Sequence, residues 1–260
     1  MQARRWGCLV LVIAVVAGGV TWLVLVLRKP PAPACSAGQY SLTPDQAQNA
    51  ATIAAVGMRL GMPDHAVTVA LATVLQESKL RNLTGGDRDS AGLFQQRPSQ
   101  GWGSYEQVTD PVYATTAFYQ RLRQQPNWTQ LSVTQAAQLV QRSGAPDAYA
   151  QWEPEARVLA GALTGQTPAT LACHDLVLGT ATAPALIAAA NAELGTAAFT
   201  GRHDPAPGWA LATWLVANAT RFAVDRVTFD GQTWIAAEGK WSPTAPPDGM
   251  LTRHQTTPPT

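Results

Sequence analysis

Glu77 is the residue whose type and position first suggest chemistry. Val67, Ala70, Leu71, Val74 and Leu75 form an apolar stripe at helical spacing, and Glu77 falls on the same face near the end of that helix. A helix C-terminus disfavours negative charge, and partial desolvation acts in the same direction. Both favour a carboxyl that keeps its proton near neutral pH, which is what a general acid requires. The plainer alternative is a glutamate that reaches solvent or bonds the helix end. Two more carboxylates, Asp87 and Asp89, follow in the run Gly85-Gly86-Asp87-Arg88-Asp89, which is also ordinary turn chemistry. Metal chemistry has little to start from. His65, His174, His203 and His254 are isolated in sequence, and the cysteines give no zinc-site spacing, so no cofactor and no metal are expected. Gly101-Trp102-Gly103 has no strand before it and does not read as a phosphate loop.

The elements that must position these residues read mostly as helices. Thr43-Pro44-Asp45-Gln46 combines a cap, a first-turn proline and a capping box, and opens a helix to about Leu60, where Gly61 stops it. Asp64 opens a second to about Lys79, and residues 82–100 are loop-rich. Asp110-Pro111 opens a third to about Arg123, and Ser132 with Gln135 a fourth to about Arg142. Asp147 opens a fifth, broken or kinked at Pro154, that ends near Gly165. Residues 40–165 thus form an all-helical domain, long enough to bury its own core. Residues 166–183 read as a Thr/Ala/Gly/Pro linker. Residues 184–260 read as a small α+β unit, with helices over Pro184–Leu194 and Trp209–Phe222. A hairpin follows over Val227–Trp234, turning on Asp230-Gly231, and the tail from Pro243 is expected to be loose.

The start of the chain poses a separate problem. Trp6–Leu27 is 22 residues without a charge, and about 20 apolar residues span a bilayer as a helix. The rival is a cleaved signal peptide, whose apolar core is usually about 7–15 residues. A retained span puts the N-terminus in the cytoplasm and residues 30–260 outside the cell, with residues 30–39 as a stalk. Ala32-Pro33-Ala34-Cys35 departs from a lipoprotein box in lacking the leucine three residues before the cysteine. Cys8 reads as a plain apolar residue of the span. Cys35 and Cys173 lie outside it, where an oxidising compartment allows a disulfide between stalk and linker.

The chain has 260 residues, of which 46% are hydrophobic and only 13% charged, which excludes long charged tails and coiled coils. The net charge is +1, so no basic field argues for nucleic acid. A single span excludes a transporter.

Glu77-Ser78, followed by a Gly/Asp loop and then Gly92-Leu93-Phe94-Gln95, resembles the lysozyme-like lytic transglycosylases and goose-type lysozymes. Those families carry Glu-Ser at a helix end and Gly-Leu-Met-Gln in the next loop; Phe94 stands at the methionine. Gly86-Asp87-Arg88 is similar to the Gly-Asp-Arg of goose-type lysozymes. The run through Trp102, the Asp110-Pro111-Val112-Tyr113-Ala114 start and the segments Val140–Ser143 and Ala148–Ala150 resemble a group of exported actinobacterial membrane proteins. The likeness covers about residues 40–165. The fold it implies is mainly α: a transmembrane helix, a lysozyme-like domain and the small α+β unit.

The implied substrate is the β-1,4 bond between N-acetylmuramic acid and N-acetylglucosamine in peptidoglycan glycan strands. Glu77 would be the catalytic acid, and Asp87 the second carboxylate of a hydrolase, with Asp89 as a spare. Goose-type lysozymes have a further aspartate soon after the glutamine; Gln96-Arg97 stand there, which favours a transglycosylase over a hydrolase. Gln95, Tyr149, Phe94 and Ser78 would form the substrate-binding set, with Tyr149 placed over Glu77. Trp102 and Tyr105 are further candidates for sugar stacking. A non-catalytic glycan-binding or recruiting module with the same groove is the alternative. The expected partners are glycan strands and, through one helix, the cell membrane. Trp209–Ala219 with Val227–Trp234 resembles a domain related to zinc D-alanyl-D-alanine carboxypeptidases. His203-Asp204 and His254 do not reproduce that metal spacing, which implies a binding or spacer role.

Overall fold

A helix rich in alanine and other small residues can be approached closely from several sides, and the fold is built around one. The computed structural model describes residues 31–256. Helix α1 (Pro44–Arg59) starts on the expected capping box, with Thr43 and Gln46 exchanging backbone-to-side-chain hydrogen bonds. Every residue from Asn49 to Gly57 is buried. Helices α2 (Asp64–Glu77), α4 (Pro111–Arg123), α6 (Glu153–Leu163), α7 (Ala183–Leu194) and α8 (Pro205–Ala217) all pack on α1. A Cβ on Gly57 would lie 2.8 Å from the Tyr119 hydroxyl, which donates to the Ile53 carbonyl at 3.0 Å. Only glycine admits that approach. Short α3 (Tyr105–Val108) packs on α4, and α5 (Val133–Gln141) packs on α2 and carries the capping box read at Ser132 and Gln135.

The described chain is α+β rather than mainly α, with 46% helix and 16% strand in two antiparallel sheets. Segments taken as stalk, linker and tail supply much of that strand. Strand β1 (Ala34–Ala37) lies in the expected stalk, next to β2 (Tyr40–Leu42), and pairs with β3 (Leu171–His174) from the expected linker, in the order β2-β1-β3. Cys35 stands directly opposite Cys173 in that register, and the two form a disulfide.

The second sheet has the order β4-β8-β5-β6-β7, with β4 (Gly201–Arg202), β5 (Val224–Phe229), β6 (Gln232–Ile235), β7 (Lys240–Pro243) and β8 (Met250–Gln255). The expected hairpin is β5–β6, and its turn residues Asp230 and Gly231 both have positive φ, as a two-residue turn of the favoured hand requires. The tail expected to be loose instead supplies β8, held between β4 and β5. The indoles of Trp234 and Trp241 donate to the Cys173 and Leu171 carbonyls at 3.0 and 2.8 Å, which joins the two sheets through β3.

One hydrophobic core runs through residues of both expected blocks, 40–165 and 184–260. It includes a buried carboxylate. Glu193 of α7 accepts from Thr52 of α1 and Trp214 of α8 at 2.9 Å each, and pairs with Arg221 of α9 (Ala219–Phe222) at 3.0 Å. Three donors on three elements offset much of the cost of burying that charge.

Among the described residues no helix is long and apolar enough to cross a membrane. The span expected at Trp6–Leu27, with Cys8, lies outside the described residues.

The disulfide closes a long loop, so its loss acts mainly by freeing the unfolded chain. The double variant Cys35→Ser/Cys173→Ser is expected to lose about 2–5 kcal/mol of stability with its helix content unchanged. Urea unfolding followed by circular dichroism checks this.

Candidate functional site

Glu77 is the last residue of α2, and the chain turns sharply after it through Lys79 and Leu80, both at positive φ. Ser78 between them is buried. Its hydroxyl lies 2.8 Å from the Leu93 carbonyl and 3.2 Å from the Val74 carbonyl. The helix end is therefore tied to the loop that carries Gly92-Leu93-Phe94-Gln95. That loop folds back on itself: the Gly92 amide donates to Leu83 at 2.7 Å, and Ala91 and Gln96 exchange amide bonds at 3.0 and 3.1 Å. Gly92 sits at φ +79°, and a Cβ there would lie 2.0 Å from the Val108 carbonyl, so no other residue fits. Leu93 and Phe94 point into the core, and the Phe94 ring stacks on Phe118 at 4.6 Å between centroids.

The two oxygens of Glu77 are treated differently. Oε1 accepts from the Tyr149 hydroxyl at 2.9 Å and from Gln141 Nε2 at 3.2 Å. The same Gln141 nitrogen also donates to the Phe94 carbonyl at 3.0 Å, using both of its hydrogens. Oε2 receives no hydrogen bond from the described residues. Tyr149 is fully buried; burial, and then the charge and hydrogen bond of Glu77, push its hydroxyl pKa up, so it stays a donor. Glu77 lines a groove of about 470 Å³ with Asp87, Ser90, Gln95, Gln141 and Arg142. A second arm of about 350 Å³ continues from it past Gln100 and Trp102 to Arg121.

Gln95 lies in the groove with its amide braced internally: Oε1 accepts from Ser90 Oγ at 3.2 Å, and Nε2 donates to the Gly92 carbonyl at 3.1 Å. A Cβ on Gly86 would lie 1.7 Å from that Oε1. Asp87 borders the groove, but its side chain is 92% exposed and its nearest base, Arg88, is 3.9 Å away, so nothing orients the carboxylate. Asp89 is bound by the Ser99 amide and Arg97 Nε at 2.7 Å each, which, the amide first, hold its carboxyl well below the usual carboxylate range.

Two expected ligand contacts are corrected by burial. Ser78 and Phe94 are enclosed, so neither can touch a ligand; they position Glu77 and its loop. The Tyr149 hydroxyl is likewise engaged on Glu77. Trp102 lines the groove with little of its ring exposed, and Arg121 stacks on it at 3.5 Å. Tyr105 is exposed and donates to the Thr84 carbonyl.

No protein-family model and no curated protein matches this chain in sequence. What the arrangement can do therefore rests on its own geometry: a carboxyl with one oxygen held by two donors and the other without a bond from the described residues, on a polar groove of about 470 Å³. Among the described residues no three His, Cys, Asp or Glu side chains gather where they could hold a metal ion.

Sequence reading missed Gln141, Arg142 and Arg121. Gln141 ends an amphipathic helix, and only the folded chain brings it to Glu77, 64 residues away. Ser78→Ala leaves the buried Leu93 carbonyl without a side-chain donor, which is expected to cost about 1–3 kcal/mol. Thermal unfolding of the variant beside wild type measures it.

Proposed function

We propose that this groove binds peptidoglycan glycan strands and cleaves the β-1,4 bond between N-acetylmuramic acid and N-acetylglucosamine as a lytic transglycosylase. The observation that carries the proposal is the asymmetry of Glu77, whose Oε1 is fixed by Tyr149 and Gln141 while Oε2 is unbonded. In the acid form Oε1 is the carbonyl oxygen and suits two donors, and Oε2 carries the proton. Oε2–H protonates the glycosidic oxygen as the C1–O bond breaks, because an alkoxide is a poor leaving group, and the muramyl ring becomes oxocarbenium-like. The carboxylate so formed takes the proton of the sugar's own 6-hydroxyl. O6 closes on C1, giving a 1,6-anhydro ring and returning Glu77 to its starting form. No cofactor takes part.

Hydrolysis on this scaffold calls for a second oriented carboxylate to hold water or the cation. Asp89 is locked to Arg97 and Ser99, and Asp87 is unanchored, which supports the intramolecular route. The disulfide suits an oxidising compartment, in keeping with a place of action on the wall side of the cell.

Mass spectrometry of peptidoglycan incubated with the protein tests the proposal. Anhydro-muramyl products are expected from wild type, with Glu77→Gln slowed by about 10²–10⁴-fold, the scale of general acid catalysis. Reducing-end muramyl products would instead mark a hydrolase. Glycan binding with no product from wild type would mark a binding module.

A further inference from the structure

We infer that the arm of the groove between Arg121 and Arg142 is a carboxylate subsite for the acidic substituent of the muramyl residue held at Glu77, so that the protein selects peptidoglycan over neutral chitin-type glycans.

Placement comes first. Gln141 donates to Glu77 and lines both the main groove and the arm, so the arm begins one side chain from the reacting carboxyl. Arg142 follows Gln141 directly, as the left-handed cap of α5 at φ +50°. Arg121 approaches from α4 with its guanidinium carbon 3.5 Å over the Trp102 ring, and one guanidinium nitrogen donates to the Gly101 carbonyl at 2.7 Å. Both arginines line the arm, and neither has a carboxylate partner among the described residues. Burial, and then the charge of Arg142, lower the Arg121 pKa. Two unneutralised guanidinium groups on one cleft are unfavourable alone and become favourable when a carboxylate lies between them.

The proposed substrate provides one in the right place, and the inference rests on that substrate class. An N-acetylmuramic acid carries a lactyl ether on C3. Its carboxyl is free in denuded glycan, and in peptide-bearing glycan it extends into a stem with carboxylates of its own. N-acetylglucosamine has nothing there. The muramyl ring whose C1 is attacked must sit beside Glu77, so its C3 substituent lies within about one sugar ring of Gln141. A neutral glycan would leave both arginines without an anion.

Calorimetry on the Glu77→Gln protein separates this subsite from catalysis. The ligands are a denuded GlcNAc–MurNAc tetrasaccharide, its peptide-bearing counterpart and chitotetraose. At least one acidic ligand is expected to bind about tenfold or more tighter than chitotetraose, as one charge-assisted pair provides, with the advantage shrinking at high salt. A gain by the denuded ligand identifies the lactyl carboxylate, and a gain by the peptide-bearing ligand alone identifies the stem. Arg142→Gln, an exposed position, is expected to bring the acidic-to-neutral ratio close to one in the Glu77→Gln background. Equal binding of all three ligands, or an unchanged ratio in Arg142→Gln, overturns the subsite. Charge-selective binding by a wild type that cuts nothing would keep the subsite and overturn the catalytic proposal; cleavage with no charge selectivity would do the reverse.

Discussion

The hydrogen bond from the Ser78 hydroxyl to the Leu93 carbonyl fixes the site, because it joins the end of a buried helix to the loop that faces it. A glutamate at a helix C-terminus would ordinarily swing on the last turn. Here Ser78 cannot move without breaking a buried bond, and Gln141 then closes a ring by holding both the Phe94 carbonyl and Glu77. The pairing of Glu-Ser with Gly-Leu-Phe-Gln thus has a mechanical meaning. The serine holds the loop, the glycine lets it pass Val108, and the two apolar residues anchor it in the core. Only Gln95 of the four reaches the groove.

That local unit depends on the C-terminal part of the chain through α1. This helix presents small side chains to helices from both halves of the sequence, and the Glu193 carboxylate binds donors on α1, α8 and α9. The second sheet then braces β3, which carries Cys173 and so holds β1 at the entrance to α1. The residues after 165 contribute to the same core as the groove-bearing helices. Removing them would expose apolar area that the first part cannot bury alone.

Helix boundaries were legible because caps are local. Thr43 with Gln46 and Ser132 with Gln135 each place donor and acceptor within one turn, and the sequence shows both. The Asp230-Gly231 hairpin was legible for the same reason. The strands β1, β3 and β8 were not. Ala-Cys-Ser-Ala and Leu-Ala-Cys-His are short and carry weak alternation, and their strand character comes from pairing partners far along the chain. In the site, Glu77 was legible from its apolar face, and Tyr149 only through resemblance. Phe94 and Ser78 were misplaced as ligand contacts because a motif marks positions that matter without saying whether they touch substrate or hold up what does. Gln141 and Arg142 lie inside the resembling segment Val140–Ser143, which marks the stretch without giving either a role, and Arg121 left no local mark.

The charge around the groove is uneven. At one side Arg97 is neutralised by Asp89, and Arg88 lies near the exposed Asp87. At the other, Arg121 and Arg142 have no carboxylate. A uniform neutral glycan would meet this asymmetry with no preferred register. A strand in which every second sugar bears an acid has two registers, and only one of them sets an acid between the arginines. The chain also has a direction, which decides whether C1 or C4 of the muramyl ring faces Glu77. Under the proposed function, an anion subsite in the arm chooses between these registers, and the direction of the strand is set by its other contacts along the groove.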